Sequence, residues 1–301
     1  MRYKVIVFLF LFFMIACGGK EQPLLDTVAY ENEINTWHEK RVAELKGVNG
    51  WLNVVGLFWL KEGINTFGSD GTNAIVFPKG KIAGQAGFFL VQNGVVTVQT
   101  LPEANIRCKG ERVERQIIFH PDSAKAEVLE TGPLQWFIIK RDNLLGVRLR
   151  DLESEALKKF TSIERYPVDA SWRLKATLEM PSEKKVLSVA NVLGQRVEQV
   201  SPGTLVFTWK GKTYRLDALE GNEDEFFMIM GDQTNGIETY GSGRYMYVKK
   251  PGPDGKIILD FNKAYNPPCA FTAHATCLLP PEQNRLPFEI IAGEKNYGDH
   301  H

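Results

Sequence analysis

Two hydrophobic rhythms divide this chain. Between Glu21 and Asn49 the sequence is charged, and its apolar side chains include Ile34, Trp37, Val42 and Leu45. That spacing sets them along one side of a helix, so an amphipathic helix is expected over Ala29–Lys46, ended by Gly47 and Gly50. Trp37 is expected as its core anchor and His38 as a surface neighbour. From Trp51 onward the period shortens. The apolar run Trp51–Leu60 leads into short strand-like segments, among them Gly63–Phe67, Gly87–Gln92, Val95–Thr100, Trp136–Arg141 and Leu144–Arg150. Turn residues separate them, and Asn93-Gly94 between two alternating runs predicts a tight hairpin. Many short strands at regular spacing describe a β sandwich over residues 51–150.

Residues 151–166 read as a connector, in which DLESEALKKF suits one or two helical turns. A second β-rich half is expected over 167–295. Its strand-like pieces include Gly203–Trp209, Lys212–Ala218, Glu225–Met230, Gly243–Lys249, Ile257–Asp260 and Phe288–Ala292. The turn Pro251–Gly255 is expected to pair Gly243–Lys249 with Ile257–Asp260 as a hairpin, with Arg244 and Asp260 toward opposite ends of adjacent strands, or both near one mouth if the second strand is short. The fold class is therefore mainly β: an N-terminal helix followed by two β-rich, sandwich-like halves. The pattern Gly63-x-x-x-Phe67-Gly68-Ser69-Asp70-x-x-Asn73-x-Ile75-x-Phe77 resembles the opening strands of forkhead-associated domains. Ser69 stands where those domains carry an Arg that holds phosphothreonine, so the likeness implies sandwich topology and not phosphopeptide binding.

The first residues alter the picture of where the chain works. Arg2 and Lys4 precede an apolar run from Val5 to Ala16. Such a run spans about 18 Å as a helix, short of the roughly 30 Å of a bilayer core, so residues 1–16 read as a signal peptide. Met14-Ile15-Ala16-Cys17 resembles the bacterial lipobox, in which the cysteine is acylated and becomes the new N-terminus. The alternative is an ordinary cleaved signal with an incidental cysteine. On the lipobox reading, residues 17–50 hold a lipid tether and the helix. A membrane partner is then reached through the lipid on Cys17 (palmitate among its acyl chains), and the location is the cell envelope, on a periplasmic or surface face of the outer membrane.

Lysine plus arginine equals aspartate plus glutamate at 36 each, so no net field favours nucleic acid. Eighteen Phe and six Trp fit a well-filled interior. No GxSxG, HExxH, phosphate-binding loop, dinucleotide-binding glycine pattern or calcium loop occurs, and no cofactor is expected.

Candidate chemistry gathers in two polar stretches of the second half. The first carries Asp232, Glu238, Tyr240 and Arg244. The second, Ile257–Arg285, carries Asp260, Asn262, Tyr265, Asn266, Cys269, His274 and Cys277. Asp232, Glu238, Asp260 and His274 are the catalytic candidates; Tyr240, Arg244, Asn262, Tyr265 and Asn266 are the binding candidates. Asp232, Glu238, Arg244, Asp260 and Arg148 or Arg150 either satisfy one another in a buried network or line a pocket as acid and base. Cys269 and Cys277 are expected to form a disulfide in an exported protein, with Cys108 free. Unreactive buried thiols, a metal site with His274, or a nucleophilic cysteine are the alternatives.

The stretches TYGSGRYMYV, LDFNKAYNPPCAFTAHATCLLPPEQNRLP and IIAGEK resemble the bacterial and archaeal domain of unknown function 1684 family. WLNVVGLFWLKEGINTFGSD, VRLRD and RYPVD fit it as well. Cys277-Leu278 departs from the Cys-Pro usual in that family. The resemblance implies a shared fold and carries no activity with it. Two functions of different class stay open: a protein that binds a small molecule, a glycan or an envelope protein, and an envelope hydrolase built on carboxylates of the second half.

Overall fold

The computed structural model describes residues 26–123, 125–252 and 255–298. The leader and Cys17 lie outside the described residues. Helix α1 (Thr27–Lys46) begins where the Asp26 carboxylate accepts the backbone N–H groups of Val28 and Ala29, each at 3.1 Å, and ends at Gly47. An N-cap aspartate of this kind satisfies amides that the first turn leaves without partners. The helix buries Tyr30, Ile34 and Leu45. Trp37, expected in the core, is only partly buried, and so is His38. Tyr30 takes the anchoring place because its hydroxyl finds a buried acceptor in Asp260 at 2.8 Å.

After a short turn the chain runs through β1 (Val54–Trp59), β2 (Gly63–Gly68), β3 (Ile75–Val76), β4 (Gly87–Gln92), β5 (Val95–Thr100) and β6 (Arg107–Cys108). Then come β7 (Glu111–Arg112), β8 (Arg115–Phe119), β9 (Leu129–Thr131), β10 (Leu134–Arg141) and β11 (Leu144–Asp151). These make one sheet of order β1-β11-β10-β9-β6-β7 and another of order β3-β2-β4-β5-β8. Both sheets send side chains into a single core. Within it the fully buried Trp136 meets Phe77 edge-on at 5.2 Å, and Phe67 stacks on Phe89 at 4.4 Å.

Helix α2 (Glu155–Lys159) is the short connector helix, capped by the Ser154 hydroxyl. The second half follows as β12 (Arg173–Glu179), β13 (Lys185–Ala190), β14 (Arg196–Ser201), β15 (Gly203–Trp209) and β16 (Lys212–Glu220). It continues with β17 (Glu225–Met230), β18 (Arg244–Lys249) and β19 (Ile257–Asp260). Strands β13 and β14 pair as a separate ribbon, while the others form one sheet of order β18-β17-β16-β15-β12-β19. Phe207, Leu216, Met228, Met246, Leu259 and Phe261 fill its core.

The expected hairpin of Gly243–Lys249 with Ile257–Asp260 is not formed. Strand β18 pairs with β17, and β19 pairs with β12 in a register that sets Arg173 opposite Asp260. The sheet curls until its two edge strands lie beside one another, leaving a seam with no ladder across it. The strand expected at Phe288–Ala292 is also absent, because the Arg244 guanidinium takes the Ile290 and Ala292 carbonyls that a neighbouring strand would otherwise use.

Residues after β19 fold without long strands and tie the halves together. The Thr272 hydroxyl donates to the Val54 carbonyl at 2.8 Å, and Arg141 donates to Thr276 Oγ1 at 3.0 Å.

Candidate functional site

The sequence candidates part into separate environments. Arg244 and Asp232 form an ion pair at 2.8 Å in which both side chains are fully buried. Asp232 also accepts from Thr234 and from the Ile290 amide, and Arg244 donates to the Ile290 carbonyl at 2.9 Å. Every bond of this set closes inside the protein. Glu238 accepts from the Tyr166 hydroxyl, whose ionisation is pushed up first by burial and then by that carboxylate. Asn266 is fixed by its own amide donating to Glu294 Oε2 at 2.7 Å and its side-chain amide donating to the Lys295 carbonyl at 2.7 Å. Asn262 donates to Tyr30 Oη and to the Asp169 carbonyl, both at 2.9 Å. Tyr240 packs beside Phe271 and Ala270, and burial raises its phenol. These residues bind the fold together.

One polar cluster escaped the sequence reading. Asp217 accepts Lys185 Nζ and Thr204 Oγ1 at 2.6 Å each, and Gln283 Nε2 at 3.1 Å. Burial works to raise its carboxyl, but the hydrogen bonds from Lys185, Thr204 and Gln283 outweigh it and hold the group below the ordinary carboxylate value. The donors come from strands and a turn far apart in sequence, so no local motif marks them.

The cysteines are a correction. Cys269 and Cys277 are both free thiols, not a disulfide, and Cys108 is free as well. The two residues are neighbours: the Cys269 amide donates to Cys277 Sγ at 3.1 Å. Cys277 is held this way among Leu187, Val189 and Tyr245, so packing and hydrogen bonding shape the loop without a covalent link. His274 stands near them, its imidazole pushed down by burial and by Arg148. Among the described residues no three His, Cys, Asp or Glu side chains converge as metal ligands would.

Asp260 and Tyr265 meet open space. They line a cleft of about 730 Å³ at the seam between the edge strands β18 and β19, with α1 along its wall. Helix α1 supplies Glu33 and Trp37, β12 supplies Arg173, β18 supplies Tyr247 and Lys249, and Lys263 follows β19. The volume lies within the range of small-molecule sites. Five cationic side chains line it against three acidic ones, in a chain of zero net charge. Lys263 is paired with Glu33 at 2.5 Å, and Lys250 reaches the Asn222 carbonyl at 3.0 Å. That contact with Lys263 holds the Glu33 carboxyl below its ordinary value.

The side chains of Arg173 and Lys249 make no hydrogen bond or ion pair among the described residues. The Arg173 guanidinium lies over the Tyr30 ring at 5.6 Å. Tyr247, 45% exposed, and Tyr265 lie nearly parallel, with ring centroids 6.3 Å apart at 16°. Asp260 accepts from Tyr30, from the Asn262 amide and from the Asn262 side chain through Oδ1 alone, and Oδ2 takes no part in those bonds. Of the four catalytic candidates Asp260 lines the cleft, and Asp232, Glu238 and His274 do not. Trp37, Arg173, Tyr247 and Lys249 were missed as site residues. A signal was present: Tyr247 and Lys249 are two apart on the outward face of a strand, an aromatic and a cation exposed together.

Helix, curled sheet and cleft define a mainly β protein whose pocket opens at a sheet seam. The family model described as "Protein of unknown function (DUF1684)" matches residues 158–295, so the resemblance holds for the second half and the last two residues of the connector helix. A solved structure of an uncharacterized protein from Haloarcula marismortui is 28% identical to this chain. The alignment covers 48% of this chain and 80% of that one, with a TM-score of 0.39. No curated protein matches.

Proposed function

We propose that this protein binds a small anionic molecule carrying a planar ring, in the cleft between α1, β18 and β19. The observation that carries this reading is the pair of unpaired cations, Arg173 and Lys249, beside the parallel Tyr247 and Tyr265 rings. A guanidinium and an ammonium that no carboxylate pairs directly attract a carboxylate or phosphate. The tyrosine faces offer a flat apolar surface to a ring. Asp260 Oδ2 accepts a hydroxyl or amine of the same ligand and so fixes its orientation.

Titration calorimetry of the folded protein against a panel of ring-bearing carboxylates and phosphates tests this. Binding is expected to weaken as salt rises, since partly exposed charges are screened. Lys249→Glu and Tyr247→Ala are each expected to lower affinity about tenfold or more, the scale of one lost charged or stacking contact. Affinity unchanged in both variants rejects the site.

The same reading places the protein at the cell envelope, held by a lipid on Cys17, where it meets solutes outside the cytoplasm. The lipobox-like Met14–Cys17 supports this. Cys17→Ser is expected to move the protein from the membrane fraction to the soluble one. Unaltered partitioning, with no lipid mass on Cys17 of the wild type, rejects the anchor and leaves the cleft untouched.

A further inference from the structure

The outer face of the first sheet carries a buried cation with no carboxylate to answer it. Strand β11 runs between β1 and β10, with Arg148 opposite Leu57 on one side and Phe137 on the other. Val147 and Leu149 enter the core, so strand alternation turns Arg148 to the opposite face, toward the loop that holds Cys269 and Cys277. Its guanidinium lies 5.1 Å from the Trp51 ring, and the residue is 5% exposed. Nε and Nη2 have no hydrogen-bond partner, and Arg148 makes no ion pair among the described residues. Burial and the neighbouring Arg141 and Arg150 push Arg148 down to about 10, and the groups that oppose this are Cys277 and Cys269. An arginine still charged at neutral pH needs an anion when it is buried. The group beside it that is able to become one is a thiol.

We propose that Cys269 and Cys277 are a redox-active dithiol, with Cys269 as the attacking thiolate opposite Arg148 and Cys277 as the resolving thiol. Cys269 is partly exposed and open to a reactant, while Cys277 is 7% exposed and shielded. The neighbouring Cys277 lowers Cys269 and favours its thiolate, while Cys277 itself is raised by Cys269 and by burial. The other ionisable groups facing the pair are Arg141 and Arg150 through Arg148, His274 held toward its neutral form, and the phenols of Tyr240 and Tyr245, both raised first by burial. None is a carboxylate that would suppress a thiolate.

The chemistry is thiol–disulfide exchange with the disulfide of another protein or of a small thiol compound. The Cys269 thiolate attacks one sulfur of that disulfide, forming a mixed disulfide and releasing the other sulfur as a thiolate, which takes a proton from water. Cys277 then loses its proton to water and attacks Cys269 Sγ, releasing the second sulfur as a thiolate. Two electrons pass from the cysteine pair to the reactant, and an internal disulfide remains.

Alkylation with iodoacetamide across pH, read by mass spectrometry on the whole soluble chain, tests the thiolate. Cys269 is expected to react with a midpoint below the ordinary thiol value and Cys277 to stay protected until unfolding. Arg148→Gln is expected to raise the midpoint, each unit lowering the rate at neutral pH about tenfold, while Arg148→Lys keeps it low. Oxidised glutathione tests the exchange. Wild type is expected to end with an internal disulfide and no bound glutathione, and Cys277→Ser to stop with one glutathione on Cys269. A Cys269 midpoint in the ordinary range in wild type overturns the proposal. So does a folded Cys277→Ser protein that takes up no glutathione, and that arm decides the matter even if Arg148→Gln fails to fold.

Discussion

Arg41 stands 3.4 Å from Glu294, whose side chain is completely buried. The same guanidinium donates to the Asn266 carbonyl at 3.0 Å and lies 4.7 Å from the Tyr265 ring. Helix α1 is thereby fastened to the segment after β19, and with it Glu33 and Trp37 are set against the cleft.

Removing Arg41 is expected to loosen that helix. Arg41→Met leaves the Glu294 carboxylate without its cation, and breaking a buried pair from one side costs about 3–5 kcal/mol. Urea unfolding is expected to show a lower midpoint with little change in slope. Ligand affinity is expected to fall too, although Arg41 does not line the cleft.

Glu294 and Asp217 are expected to give opposite pH dependences. Burial raises Glu294 in the folded protein above its ordinary value of 4.5. The folded state then holds that proton more tightly than the unfolded one, so its contribution is present at lower pH and is lost as pH rises through the raised value. Asp217 is lowered from its ordinary 3.8. Its contribution is present above that value and is lost as pH falls through the depressed one. Urea midpoints measured from acid to neutral pH are expected to flatten at the neutral side in Glu294→Gln and at the acid side in Asp217→Asn.

The Arg244–Asp232 pair is expected to be strongly coupled. Arg244→Met alone strands a buried carboxylate, at about 3–5 kcal/mol. Adding Asp232→Asn removes the stranded charge, so the double variant is expected to recover part of that loss. A double-mutant cycle reads the coupling, and strict additivity would mark the two as independent. Recovery stays incomplete because Arg244 also serves the Ile290 and Ala292 carbonyls.

Gly243, just before Arg244, is expected to tolerate no side chain. Its φ is +88°, and a Cβ there falls 2.5 Å from the Met230 carbonyl oxygen and from a ring carbon of Pro280. Gly243→Ala is expected to cost about 1–3 kcal/mol, the scale of a strained non-glycine residue in that region, and more where the clash is not relieved. Thermal unfolding measures it.

Local structure was legible in the sequence wherever one short stretch decides the outcome. Helix α1 was expected over Ala29–Lys46 and runs Thr27–Lys46. Asn93-Gly94 turns β4 into β5 with φ of 52° and 78°, which neighbouring side chains do not alter. Strands β4, β5, β15, β17 and β19 begin and end where alternation and turn residues put them. Which strands become neighbours was not legible. The pairing of β19 with β12, rather than with β18, depends on hydrogen bonds between residues more than eighty positions apart, and a connecting turn carries no record of them. That single pairing left a seam between two sheet edges and so made the cleft from Trp37, Arg173, Tyr247 and Asp260. Tertiary packing likewise laid the loop of Cys269 and Cys277 on the sheet that carries Arg148. Strand alternation turns Arg148 away from the first core, but only the docking of the second half on that face decided what it meets.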